Sequence, residues 1–401
     1  TSYKIMMSER ILVTGMGIIS GLGYGKQATL DALCSKHSGI GKMKYLQTIH
    51  NYYPVSEVPM SDAEMMDSLG ISSQTIITRT PLLGIMALKE AFIEAHLDKK
   101  RPRRIAFING TTVGGMEKSE QYYPDFQNTE AYIAAHDCGT SCEAIAEYFD
   151  GFDMITTIST ACSSAANAII LGANLLKTGR VDVAIVGGTE CLSKFHLNGF
   201  STLMILDKEA CKPFDAKRVG LNLGEGAAYL VLEKEQHAKQ RGVQPICMLS
   251  GYANTCDAYH QTASSPDGQG AYLAMHNALE NAHLHPHDID YINAHGTGTQ
   301  NNDLSEGTAI MRVFNDNIPP VSSTKSFTGH TTSAAGSVES IISILALLHN
   351  FIPANLNFNN PMPELSFCPV KDTLTKKMQH VLTNSFGFGG NDSACIFSKI
   401  D

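Results

Sequence analysis

Two kinds of stretch alternate along the chain. Short runs of β-branched and apolar residues, closed off by glycine, proline or polar clusters, read as strands. Longer runs with apolar residues three and four apart read as helices. The pattern predicts strands over 11–14, 105–109, 154–158, 183–186, 227–232, 246–250, 289–294 and 393–398. It predicts helices over 80–95, 161–176, 270–282 and 334–349. Such alternation places the chain in the α/β class.

The pattern also repeats itself. "ILVTGMG" has a later counterpart in "ICMLSGYA", and "RRIAFINGTTVGG" in "IDYINAHGTGT". "ITTISTACSSAANAIILGANLL" is echoed by "PVSSTKSFTGHTTSAAGSVESIISILALL", and "VAIVGGTE" more weakly by "LTNSFGFGGND". This reads as an internal duplication, with an N-terminal half over 8–245 and a C-terminal half over 246–401.

Length and composition fit that picture. A chain of 401 residues makes one large or two fused domains. With 43% hydrophobic and 17% charged residues it reads as an ordinary soluble globular protein. The net charge of −9 and the absence of a long basic run argue against a nucleic-acid partner. The basic cluster "DKKRPRR" reads as a solvated loop between helix and strand. The ten cysteines are scattered, and Cys138 and Cys142 lack a second pair at zinc spacing, so a reduced, cytoplasmic setting and no metal are expected. The N-terminus carries no cleavable-signal pattern, and whether "TSYKIMM" is an extension or an alternative start stays open. The apolar helix segment around 341–348 falls short of the roughly 20 residues that span a bilayer, so no membrane insertion is expected.

The candidate chemistry begins at Cys162, where a β-branched run meets a helix-forming run among Thr160, Ala161, Ser163 and Ser164. A thiol at a helix start feels unpaired N–H groups and the positive end of the dipole, which predicts a lowered pKa. A buried structural cysteine is the competing reading. His295 in "NAHGTGTQNND" and His330 in "SSTKSFTGHTTSAAGS" also lie at strand-to-helix junctions, where α/β folds place active sites. Lys325 stands five residues before His330.

Taken together, "STACSSA", "NAHGTGT", "STKSFTGHTTSAAGSVES" and "NSFGFGGND" resemble the β-ketoacyl-acyl carrier protein synthases, over nearly the whole chain and in family order. The resemblance implies a thiolase-like duplicated αβαβα five-layer fold, usually a homodimer, with a heterodimer as the alternative. It implies a decarboxylative Claisen condensation with acyl carrier protein as partner. No cofactor is implied, since substrates ride on the carrier's phosphopantetheine. Cys162 would take the acyl chain, and His295 and His330 would donate N–H groups to the malonyl thioester carbonyl. Lys325 would polarise the site beside His330, and Glu339 would be its buried support. The N–H groups of Cys162 and Phe388 would form the oxyanion hole. Phe388 would gate the acyl channel, and Thr297 and Thr299 would bind pantetheine. Asp257, His260 and Thr262 would sit on a loop near the mouth.

Several positions depart from the fatty-acid branch. The gate motif ends in Asn391 and Asp392 rather than Thr-Asn, and "GTGTQNND" is closer to the polyketide form; Leu221 departs from the family as a whole, which commonly has phenylalanine there. Of the usual carrier-docking cations near "TIITRTPLLGIM" only Arg79 remains, and Met204 falls about where another docking arginine is expected. Fatty-acid elongation is the first reading, and a polyketide or aryl polyene ketosynthase with the same chemistry is the second. A non-catalytic chain-length partner would lack the cysteine. A thiolase would carry a second cysteine in place of Phe388. A coenzyme A-dependent initiating synthase would have asparagine in place of His330. "TGMGIISGLG" has GxGxxxG rather than dinucleotide spacing, and His283, His285 and His287 read as a solvated loop.

Overall fold

The computed structural model describes residues 10–97 and 104–400. The basic cluster therefore lies outside the described residues except for Arg104, as do "TSYKIMM" and the first two residues of the N-terminal half.

Ten strands form one continuous path of hydrogen-bonded neighbours: β1 Ile11–Ser20, β2 Ile105–Gly110, β3 Met154–Ile158, β4 Val183–Glu190, β5 Gly226–Lys234, β6 Cys247–Cys256, β7 Tyr291–Asn293, β8 Val321–Ser322, β9 His380–Gly387 and β10 Asn391–Ser398. Their order is β3-β2-β4-β5-β1-β6-β10-β9-β7-β8. Each strand of the first half thus has a counterpart five numbers later. The pairing sense repeats too. β1–β5 and β5–β4 are antiparallel and β4–β2 and β2–β3 parallel, while β6–β10 and β10–β9 are antiparallel and β9–β7 and β7–β8 parallel. The sequence echoes land on equivalent strands. The two half-sheets meet through β1 and β6, paired at Ile11–Leu249, Leu12–Met248 and Val13–Cys247.

Four helices complete five layers. Helix α1 (Arg79–Glu94) covers the outer face of the first half-sheet, and α3 (Gln269–Ala282) that of the second. Helices α2 (Ser164–Lys177) and α4 (Ala335–His349) pack on each other between them. That central position explains why α4 is buried on all sides through Leu347, with Glu339 and three serines among its small and apolar residues. The stretch Thr332–His349, with a mean hydropathy of 1.3, is long and apolar enough to cross a membrane, contrary to the short segment expected from sequence. Its 89% burial inside the fold marks it as a core helix.

Gly15 and Gly17 on β1 have a packing reason. A Cβ at either would lie 2.4 Å from the Ala91 carbonyl or 2.1 Å from the Ala87 carbonyl of α1. These glycines let helix and strand backbones approach. The rings of His285 and His287 stack, 5.3 Å apart, at the short helical turn Pro286–Asp288.

Candidate active site

β3 ends at Ile158 and α2 begins at Ser164, so the chain must reverse in five residues. It does so through Ala161, held at φ 51°, a left-handed backbone that alanine rarely adopts. The turn is clamped by Ser163 Oγ, which donates to the Thr160 carbonyl (2.7 Å), and by Ser164 Oγ, which donates to the Ala161 carbonyl (2.6 Å). The small residues around Cys162 are thus turn-forming as well as unobtrusive. Cys162 itself is 6% exposed and precedes the first turn of α2 by two residues.

The matching junction of the second half, between β8 and α4, carries Lys325 and His330, and the junction after β7 carries His295. These junctions converge on the thiol. His330 Nε2 lies 3.1 Å from Cys162 Sγ. The two imidazoles meet edge to face, with centroids 5.2 Å apart at 85°.

Their tautomers follow from their partners. The Thr332 N–H donates to His330 Nδ1 (3.2 Å), so the proton of neutral His330 is on Nε2. The Lys325 ammonium donates to His295 Nδ1 (3.1 Å), which places that proton on Nε2 as well. Lys325 spends its other donors on the His295 carbonyl (2.6 Å) and on Glu339. The lysine therefore braces His295 directly. Its charge also acts on His330, while the Thr332 N–H holds that ring's Nδ1. Glu339 is 2% exposed and is indeed the lysine's buried counter-ion.

Burial governs the electrostatics. It draws both histidines well below the usual imidazole range, helped by the nearby Lys325 charge, so both are neutral at pH 7. Burial also pushes the Glu339 carboxyl up to about 7 against the opposing pull of Lys325. It pushes the Cys162 thiol up to about 11, although Lys325 and the N–H groups of Phe388 and Cys162 oppose the rise. The lowered thiol pKa read from the helix start is overturned. Cys162 stands before the helix, and desolvation outweighs the dipole.

Phe388 occupies the turn between β9 and β10 and stacks on Phe200, with centroids 5.9 Å apart at 21°. Gly387 beside it presses on the nucleophile turn: a Cβ there would lie 2.9 Å from the Thr160 carbonyl and 3.2 Å from the Cys162 nitrogen. A cavity of about 520 Å³ opens in front of Cys162, lined among others by Thr297, Thr299, His295, His330, Leu221 and Phe388. The two threonine hydroxyls share a hydrogen bond (2.9 Å), and Thr299 also caps the helix Gln300–Phe314. Thr262 lines the same cavity. Asp257 accepts no substrate-facing role here: its N–H donates to the Gly390 carbonyl (3.1 Å) and ties this loop to the gate. His260 lies outside the lining, where Nδ1 accepts the Thr262 and Ala263 N–H groups.

Four contributors escaped the sequence reading. Glu306 accepts the N–H groups of His295 (2.8 Å) and Gly296 (2.7 Å), fixing the histidine's turn. Its pairing with Asp303 on one face of a helix rich in small residues is the signal that could have found it. Asn391 Oδ1 accepts from Ser163 Oγ, Asn167 Nδ2 and Asn254 Nδ2, linking gate and nucleophile turn through a residue noticed only as a departure. His196 is buried and neutral near His330, its imidazole held below the usual range by burial. Phe200 backs the gate. Arg79, by contrast, is no docking cation. It is 7% exposed and bonded to Glu225 (2.6 Å) and Asp62 (2.7 Å).

Comparison with known proteins bears on this constellation. The β-ketoacyl synthase N-terminal domain matches residues 8–238, and the β-ketoacyl synthase C-terminal domain matches residues 246–359. A putative polyketide β-ketoacyl synthase 1 of Streptomyces halstedii is 31% identical over 98% of both chains. A 3-oxoacyl-[acyl-carrier-protein] synthase 2 of Vibrio cholerae is 30% identical over 98% of this chain and 100% of its own. Among solved structures, the ishigamide ketosynthase/chain length factor superposes with a TM-score of 0.91 at 27% identity, covering 98% of this chain and 100% of the other. A ketosynthase in complex with its chain length factor from Xenorhabdus doucetiae gives 0.83 at 29% identity, with both chains fully covered. A buried thiol facing two neutral imidazoles, on a duplicated thiolase-like fold, thus sits in a chain that belongs to the β-ketoacyl synthase family, acyl-transferring condensing enzymes.

Proposed function

We propose that the chain is an elongating 3-oxoacyl-[acyl-carrier-protein] synthase with Cys162 as nucleophile and His295 and His330 as the decarboxylation pair. The observation that carries this reading is the pair of imidazoles locked as Nε2–H donors, one of them 3.1 Å from the thiol. Donors fixed in that state suit an oxygen that gains negative charge.

The steps balance without a redox partner or metal. Cys162 exchanges with the acyl thioester of a carrier arm, and the thiol proton leaves on the released pantetheine thiol. A malonyl thioester then places its carbonyl oxygen on the two Nε2–H groups. Carbon dioxide departs, and the electron pair of the broken bond passes into the enolate that these donors stabilise. The enolate carbon attacks the acyl-Cys162 carbonyl, whose oxygen is held by the N–H groups of Cys162 and Phe388. Collapse expels the Cys162 thiolate, which takes up a proton. Thr297 and Thr299, which line the cavity, would hold the pantetheine arm.

Specific observations favour a polyketide or aryl polyene chain over fatty-acid elongation. Asn391 holds the nucleophile turn from a position where the fatty-acid branch has threonine. The full-length likeness to two ketosynthases solved with chain length factors supports the same choice, and a partner subunit with it. Intact-mass measurement on a panel of acyl-carrier thioesters tests the reading. Acylation at Cys162, followed by a two-carbon gain with malonyl-carrier, is expected. Loading of saturated chains alone would return the chain to fatty-acid elongation, and no acylation of Cys162 by any carrier thioester would end the proposal.

A further inference from the structure

Granting that acyl groups arrive on a carrier arm, as proposed above, the carrier body must rest where the cavity opens. The lining of that cavity contains no Lys, Arg, Asp or Glu among the described residues. At its opening stand two apolar side chains turned to solvent, Met204 at 87% exposure and Val219 at 61%. Leu203 beside them is 42% exposed. Methionine and valine at such exposure cost solvation and contribute nothing to the core.

The backbone adds a second, independent sign. Met204 follows the helix Lys194–Thr202 at φ 57°, the left-handed position where glycine or asparagine normally ends a helix. A side chain is thus kept, against backbone preference, where it projects from the mouth.

Nearby charges do not replace what the lining lacks. Arg79 is buried against Glu225 and Asp62. Arg218 is buried and donates to the Thr299 and Gln300 carbonyls. Lys212 pairs with Glu209, and Lys208 lies over the Tyr52 ring. Lys217 is the exposed cation beside Val219.

We infer that Met204, Val219 and Leu203 form an apolar seat for the carrier, whose face around the arm's attachment point presents an apolar patch rather than a row of carboxylates. Affinity then comes from buried apolar area, and electrostatic steering contributes little.

Steady-state kinetics with the cognate acyl-carrier and with a short acyl-pantetheine thioester, which has no carrier body, tests this. For the unmodified protein, KM for the acyl-carrier should change less than about twofold between about 0.05 and 0.5 M salt. Met204→Asp should raise the ratio of the two KM values at least about tenfold. Met204→Leu, which keeps the apolar surface, should leave that ratio near its original value. A KM for the carrier that climbs more than about fivefold with salt, or a ratio that Met204→Asp does not move, would overturn the seat. If neither the acyl-carrier nor the short thioester acylates Cys162, the proposed function itself is wrong, and the seat falls with it.

Discussion

At the scale of residues, what matters is which atom carries each proton. Because Thr332 and Lys325 donate to the two Nδ1 atoms, His295 and His330 are Nε2–H donors before any substrate arrives. Removing either donor should slow decarboxylation of malonyl-carrier by about a hundredfold or more, the usual cost of one oxyanion-hole donor. Carbon dioxide release by His295→Ala and His330→Ala checks this. Both imidazoles lie well below the usual range, so neither titrates near neutrality. With Glu339, whose carboxyl is pushed up to about 7, replaced by Gln, the decarboxylation rate should therefore be flat from about pH 6 to pH 8; a fall centred near 6.5 in that variant would show that a histidine gains a proton there. The residues themselves were legible in the sequence, because each sits in a short glycine- or serine-rich junction. Their partnerships were not. That Lys325 serves His295, thirty positions away, depends on two loops meeting across the fold. That the thiol is raised rather than lowered depends on burial, which local sequence does not report.

At the scale of elements, the nucleophile turn, the gate turn and the buried charge network each carry a prediction. Gly387→Ala would set a methyl against the Thr160 carbonyl and the Cys162 nitrogen. A displaced nucleophile turn should cost about a hundredfold in condensation while the protein stays folded, read as kcat beside a circular dichroism spectrum. Arg79→Ala would leave Glu225, 1% exposed, without its counter-ion. It should destabilise the fold by about 3–5 kcal/mol in denaturant titration. A mere docking residue would show no such loss. Asp392 follows the gate, where burial, with Asp257 and Glu306 nearby, pushes its carboxyl up to about 8. Between about pH 4 and that value the folded state keeps a proton that the unfolded chain releases, so this group's contribution falls as pH rises through the window. Asp392→Asn should therefore gain stability relative to the original as pH goes from about 5 to about 8, measured by chemical denaturation. Strand β3 and the four layer helices were legible to within a few residues. β1 and β4 run on through glycines that ended the predicted strands early, and β9 was missed because its polar positions are buried under α3 and α4.

At the scale of the whole molecule, duplication is what assembles the site. Equivalent junctions of the two halves supply Cys162 on one side and Lys325 and His330 on the other, and the central helices α2 and α4 hold them face to face. The repeat was visible in four pairs of sequence echoes. The joining of the half-sheets through β1 and β6 was not, since three residue pairs leave no periodic signature. The central claim is that decarboxylation belongs to the histidine pair and acyl capture to the cysteine. Carbon dioxide release from malonyl-carrier by Cys162→Ala and by His330→Ala, measured side by side, tests it most directly. The account predicts that Cys162→Ala still releases carbon dioxide but forms no extended chain, while His330→Ala loses release. Chain extension by Cys162→Ala, or undiminished release by His330→Ala, would contradict it.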